Sequence, residues 1–242
     1  MKKINAAGIC FKELNQKIAQ STDKNIEIEN CLGHRYIGAG LSGKNIKING
    51  VPGNALGAYL VNGRIVVNGN AQDATGDTMD NGEIVIHGSC GDGVGYSMRG
   101  GKILIKGDVG YRAGIHMKAY KTKMPVLVIG GRAGSFLGEY QAGGLIIVLG
   151  LGTAAGMPIV HNFCGTGMHG GQMFLRTSKP PYAVPGQVLV KEASEDDMSV
   201  VEPHVRSFCK EFGREAEKIL QDKFLVLTPN KKNPYREFYV YN

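Results

Sequence analysis

A single period governs most of this chain. A strand-like segment closed by glycine runs from Arg64 to Gly69, again from Glu83 to Gly88 and again from Lys102 to Gly107, in the pattern x-Ile-x-Ile-x-Gly or close apolar variants of it. An earlier copy runs from Asn45 to Gly50, and later ones close at Gly131 and Gly150. The closing glycines fall at 50, 69, 88, 107, 131 and 150, a period of 19 residues with one five-residue insertion. Asn25 to Asn30 and Gln172 to Thr177 read as degenerate strands at the two ends.

Other columns keep the same step. Gly38, Gly57, Gly76, Gly95, Gly114 and Gly138 mark a second corner, and Gly63, Gly82, Gly101 and Gly144 a third. Glycine suits corners because it takes positive φ without a Cβ clash. Leu60, Met79, Met98 and Met117 form one apolar column; Ile46, Ile65, Ile84, Ile103, Leu127 and Ile146 form another. Residues one period apart then stack about 4.8 Å apart, so both columns become interior ladders. The expected fold is all-β: a right-handed, single-stranded parallel β-helix, a solenoid of about seven 19-residue coils with small α/β terminal extensions. The right hand is expected because left-handed forms follow a strict hexapeptide with coils of about 18 residues.

Open ends of such a stack expose strand edges and need caps. Residues 1–24 supply one, with Phe11, Leu14 and Ile18 on one face of a short helix; residues 25–177 are the β-helix. Residues 178–242 read as an α/β extension packed on it, entered through Pro180, Pro181 and Pro185. There a helix is expected to begin near Glu202 and Pro203, with the stripe Val201, Val205, Phe208, Phe212, Ala216 and Ile219. Short strands are expected over 224–227 and 238–241.

Composition narrows the function classes. The 36 glycines and absence of tryptophan suit a turn-rich fold. No apolar run spans a membrane and no secretory core follows Met1, so no membrane association is expected and the cytoplasm is the expected location. The five cysteines show no CxxC spacing, which points to reduced structural thiols. The net charge of +7 is spread without a basic cluster interleaved with aromatics, so nucleic acid is not an expected partner.

Three places invite chemistry. Gly150 to Gly156 after an apolar strand imitates a dinucleotide-binding turn, but its glycines are the same repeating corners, as are those of Gly91 to Gly95. Asp73 and Asp92 lie one period apart and could act as paired carboxylates, although their column reads as a solvated turn. His161 and His169 flank Cys164, without the further ligand or acid that a metal or thiol mechanism needs. Nothing here is assigned as a catalytic, cofactor-binding or metal site. The insertion falls within Ile115 to Pro125 and must leave the coil as a surface loop. It carries Lys118, Tyr120, Lys121 and Lys123, with Arg112 close by, and its single sign of charge suits docking to an acidic partner.

Several runs on these repeats resemble a known family: Gly50 to Asn54, Gly95 to Gly101, Gly107 to Lys118, Gly138 to Gly144 and Gly165 to Gly171. Together they resemble the GXGXG domain of glutamate synthase over nearly the whole chain. Asn233 to Arg236 with Tyr239 is similar to the ending of stand-alone GXGXG subunits. Gln141 departs from the pattern, standing where related coils carry Met. The resemblance implies a non-catalytic scaffold that holds a glutamine amidotransferase-like subunit and an FMN-dependent glutamate synthase-like subunit while ammonia passes between them. FMN and iron–sulfur centres are then expected on those partners and none on this chain. Position 2 is Lys2, where an N-terminal-nucleophile amidotransferase needs Cys. Similar repeats in a subunit of formylmethanofuran dehydrogenase give the alternative, and a free-standing β-helix hydrolase or lyase is a third class.

Overall fold

The computed structural model describes residues 1–154 and 156–230. In chain order the elements are β1 (Lys2–Asn5), α1 (Phe11–Ala19), β2 (Asn25–Leu32), β3 (Lys44–Val51), β4 (Gly63–Asn68), β5 (Glu83–Ile86), β6 (Lys102–Ile105) and β7 (Val126–Ile129). There follow β8 (Ala142–Val148), β9 (Gly170–Leu175), β10 (Val188–Glu192), α2 (Glu195–Phe212), α3 (Ala216–Leu220) and β11 (Leu225–Pro229). All strands join one eleven-stranded sheet, in the order β1 through β9, then β11, then β10. The first nine are parallel and sequential; β11 pairs antiparallel with both β9 and β10.

The sequence period becomes the pairing register. Ile46 faces Ile65, Ile65 faces Ile84 and Ile84 faces Ile103, each pair 19 residues apart. Ile103 then faces Leu127 across the insertion, and Leu127 faces Ile146. One face of the sheet therefore carries an unbroken apolar ladder, which packs against Leu60, Met79, Met98, Met117 and Met168 from the turn segments to form the main core. Gln141 is the odd member of that column. It is fully buried, and its Nε2 donates to the carbonyls of Gly143 and Gly144.

The expected all-β right-handed parallel β-helix is corrected. The described residues form one large, mostly parallel mixed sheet with helices, an α/β arrangement. Away from that sheet the repeats meet through turns and isolated bridges, such as Ala71–Cys90, Cys90–Val109 and Ala133–Val160. The physical reason is the spacing of the corners: segments between adjacent glycine turns are too short to form further sheets. The periodicity fixes which residues stack, but it does not decide whether each side of the repeat extends into a strand.

The other sheet face grades from polar to apolar. On β2 and β3 it presents Glu27, Lys47 and Asn49, linked as Lys47 Nζ to Glu27 at 2.8 Å and Asn49 Nδ2 to Glu29 at 2.8 Å. From β6 to β9 it presents Leu104, Val126, Val128, Leu145, Ile147 and Phe174, which Val201, Val205 and Phe208 of α2 bury in a second core. Each such side chain contributes roughly 1.5–3 kcal/mol on burial. Arg64 marks the transition, bridging Glu83 on β5 and Glu211 near the end of α2, each at 2.7 Å.

The helix starts earlier than its proline suggests. Ser194 and Asp197 form a reciprocal capping box, and Gly213 ends the helix in the left-handed region at φ 63. The expected start near Glu202 is thus corrected by about two turns. Pro203 lies inside the helix, where it removes one N–H but leaves the Val201–Val205–Phe208 stripe in register. The strand expected over 238–241 lies outside the described residues. Among the described residues no helix is long and apolar enough to cross a membrane.

Candidate docking surface

Each repeat turns through two overlapping bends. In the second repeat, Ala58 N–H donates to Ala55 C=O at 3.3 Å and Leu60 N–H donates to Gly57 C=O at 3.1 Å. Ala55, Gly57 and Tyr59 all have positive φ, while Leu56 and Ala58 between them do not. The same alternation recurs at Arg112, Gly114 and His116, and at Phe136, Gly138 and Tyr140. The middle position is glycine at 38, 57, 76, 95, 114 and 138, with φ from 63 to 74. At most of these a side chain would strike the interior: a Cβ on Gly57 would sit 2.6 Å from Ile84 Cδ1, and one on Gly114 2.5 Å from Ile146 Cδ1. The flanking positions face outward and accept side chains, at a strain of order 1 kcal/mol for a non-glycine residue.

Carboxylates in these turns join the repeats. Asp73 Oδ1 accepts the N–H of Asp92 at 2.9 Å, and Asp92 Oδ1 accepts that of Tyr111 at 2.8 Å. Asn70, Ser89 and Asp108 form a second ladder, each accepting a backbone N–H from the following repeat. Asp73 and Asp92 are therefore brought together as backbone acceptors. Cys164 is fully buried, which pushes its thiol up to about 12, opposite to an activated nucleophile. His161 is exposed, and His169 Nδ1 lies 3.1 Å from the Gly167 carbonyl. No three His, Cys, Asp or Glu residues converge as a metal site among the described residues. Among the described residues the chain after Gly150 enters turns and not a helix.

The insertion forms a small hairpin, with Tyr120 and Lys123 exchanging backbone hydrogen bonds at 3.0 and 2.9 Å. Lys123 Nζ pairs with Asp80 at 2.5 Å, anchoring the hairpin to an earlier repeat. Lys121 lies over the Tyr120 ring at 5.3 Å, and Lys118 is half-buried at its base. Arg112 is held by Glu139 at 2.9 Å and stacks over Phe136. Two of the five docking candidates, Arg112 and Lys123, thus engage acids of this chain.

Beside the hairpin lies a group of rings that the sequence reading left out. His116 stacks on Tyr140 with centroids 5.1 Å apart and a 12° interplanar angle, and Tyr96 meets His116 edge-on at 6.0 Å. Phe136 stacks on Phe163 at 4.9 Å. The half-buried Arg99 donates to the carbonyls of Ser97 and His116. The available signal was the column Gly40, Tyr59, Thr78, Ser97, His116, Tyr140 and Gly167, where bulky residues replace glycine at left-handed positions.

The sequence pattern of the family described as GXGXG motif matches residues 12–230. The chain belongs to that family. Glycine at alternate positions is what an alternation of left-handed and ordinary turn residues selects, and this GXGXG protein keeps it most strictly at the buried middle position. It is similar to an uncharacterized protein of Methanocaldococcus jannaschii, 43% identical over 98% of this chain and 95% of the relative. Among solved structures it is similar to a chain of the formyltransferase/hydrolase complex from Methylorubrum extorquens, crystallised with methylofuran. That match has a TM-score of 0.60 and 18% identity, covering 91% of this GXGXG protein and 88% of the other chain; it speaks for a shared fold.

Proposed function

We propose that this GXGXG protein is a non-catalytic scaffold subunit of a glutamate synthase-like complex. It holds a glutamine amidotransferase-like subunit and an FMN-dependent glutamate synthase-like subunit for ammonia transfer from glutamine to 2-oxoglutarate, with FMN and iron–sulfur centres on those partners. One observation carries the reading: the carboxylates best placed for chemistry, Asp73 and Asp92, instead accept backbone N–H groups that tie successive repeats together. A stack joined in this way is a spacer of fixed length, suited to holding other proteins at a distance. Family membership across residues 12–230 supports it.

Co-expression with the two partner subunits tests this. The expected outcome is a ternary complex in which omission of this chain abolishes glutamine-dependent glutamate synthesis and leaves ammonia-dependent synthesis by the flavoprotein intact. Equal glutamine-dependent activity without the chain would overturn the reading. The likeness to a chain of the formyltransferase/hydrolase complex favours a second reading, in which the same scaffold serves a formylmethanofuran dehydrogenase-like assembly. Co-purification with formyl-transferring subunits, and not with an amidotransferase, would decide for it.

A further inference from the structure

The ring group beside the hairpin carries more than the scaffold reading needs. Tyr96, His116 and Tyr140 come from three successive repeats, and Tyr96 and Tyr140 remain 41% and 42% exposed. His116 and Tyr140 stand at left-handed positions, φ 54 for both, in a column that is glycine at Gly40 and Gly167. A fold that needed only a turn there would be served better by glycine. Exposed, mutually stacked rings on strained backbone are features of a binding surface.

Charge identifies the occupant. Arg99 is half-buried with its guanidinium against the Ser97 and His116 carbonyls, and it meets no acid among the described residues. Its neighbour Arg112, by contrast, is neutralised by Glu139. Burial lowers the Arg99 pKa from the ordinary guanidinium value, so an incoming anion would relieve an uncompensated charge. Lys118 and Lys121 at the hairpin likewise lack an acidic partner among the described residues.

We infer that Arg99 and the Tyr96–His116–Tyr140 stack form an anchor for an acidic segment of a partner chain, its carboxylates on Arg99 and an intervening aromatic side chain on the rings. Planar rings and arginine are the groups that concentrate binding energy at protein interfaces, and a guanidinium receives a carboxylate through two hydrogen bonds. The inference takes the partner's identity from the scaffold role proposed above, but not its chemistry.

The test uses the full chain and a fluorescein-labelled peptide, Glu-Glu-Phe-Glu-Glu, with Lys-Lys-Phe-Lys-Lys and an oligothymidylate as counter-probes. At low salt the acidic peptide is expected to bind and the basic one not to. Arg99→Ala and Tyr140→Gly should each weaken binding about tenfold or more, the loss of one good contact, while Lys106→Ala on another face leaves it unchanged. Tyr140→Gly should not lower the melting temperature, since the column tolerates glycine at both ends; a fall would mark the ring as structural. The same variants are then tried against the amidotransferase-like and synthase-like subunits. If wild type and Arg99→Ala capture a partner equally, the inference falls and the scaffold reading stands. If the acidic peptide binds through Arg99 but neither subunit binds, the scaffold reading falls and the inference stands. Absence of Arg99-dependent peptide binding, or tighter Arg99-dependent binding of the oligothymidylate, would overturn the inference.

Discussion

Asp92 donates its backbone N–H to the carboxylate of Asp73, one repeat earlier, at 2.9 Å. Asp92 in turn accepts the N–H of Tyr111, so each acid is a rung between repeats. Asp92→Ala removes an acceptor from a backbone donor and should cost about 1 kcal/mol, while Asp92→Asn, which keeps an oxygen in place, should cost little. Urea unfolding of the three proteins checks this. Equal loss in both variants would mean that charge, and not acceptor geometry, matters there.

Met98 lies fully buried in the ladder between the turn segments and the sheet. Met98→Asp places an unpaired carboxylate in that core and should cost several kcal/mol or prevent folding. Thermal unfolding beside Asp92→Ala gives the scale: comparable small losses in both would contradict the register.

Gly40 and Gly57 separate backbone strain from collision. Both have positive φ, at 65 and 63, but a Cβ on Gly40 meets nothing within 4 Å while one on Gly57 strikes Ile84. Gly40→Ala should cost on the order of 1 kcal/mol and Gly57→Ala clearly more, because overpacking adds to strain. Their melting temperatures give the comparison.

Burial pushes the thiol of Cys31 up to about 11 and those of Cys90 and Cys164 up to about 12. A raised pKa leaves these thiols protonated well above pH 8, and alkylation requires the thiolate. Iodoacetamide at pH 8 should therefore modify the exposed Cys10 and spare these three until denaturant is added, as read by mass spectrometry of peptides.

The hairpin can be tested without disturbing its anchor. Lys123 is paired with Asp80, so reversing it would set two acids together. Lys118→Glu with Lys121→Glu leaves that pair intact and should weaken partner co-purification, most clearly at low ionic strength. Unchanged assembly at low salt would leave the hairpin as a solvated loop.

The purified chain is also expected to be colourless and to bind neither FMN nor NAD(P)H. A stoichiometric flavin spectrum or saturable dinucleotide binding would contradict this.

The repeat was legible because its cause is local and periodic: an isoleucine that must face isoleucine every 19 residues writes itself into the sequence, and the pairing of Ile46, Ile65, Ile84 and Ile103 follows. The architecture was not. Whether a short corner segment becomes a strand or a turn depends on the neighbours above and below it, and the antiparallel return of β11 between β9 and β10 leaves no periodic mark. The start of α2 was misplaced because Pro203 outweighed the quieter signal of Ser194 and Asp197. At the surface, the clustered lysines are visible in the sequence, whereas the Arg99 environment emerges only when Ser97 and His116 turn their carbonyls toward one guanidinium.

Helix α2 covers the outer sheet face over the later strands only, beginning at Val85 and reaching Phe174, while β2 and β3 meet solvent through Lys47 and Asn49, with Glu27 buried beneath the lysine. Repeats that touch only their neighbours lose cooperativity wherever nothing spans them. The protein is thus clamped on two sides at one end and on one side at the other. Local opening should run inward from the β1–β3 end, with backbone amides there exchanging their hydrogens sooner than those of β6 to β9. The later repeats, which carry Arg99 and the stacked rings, would stay closed after the early ones have begun to fray.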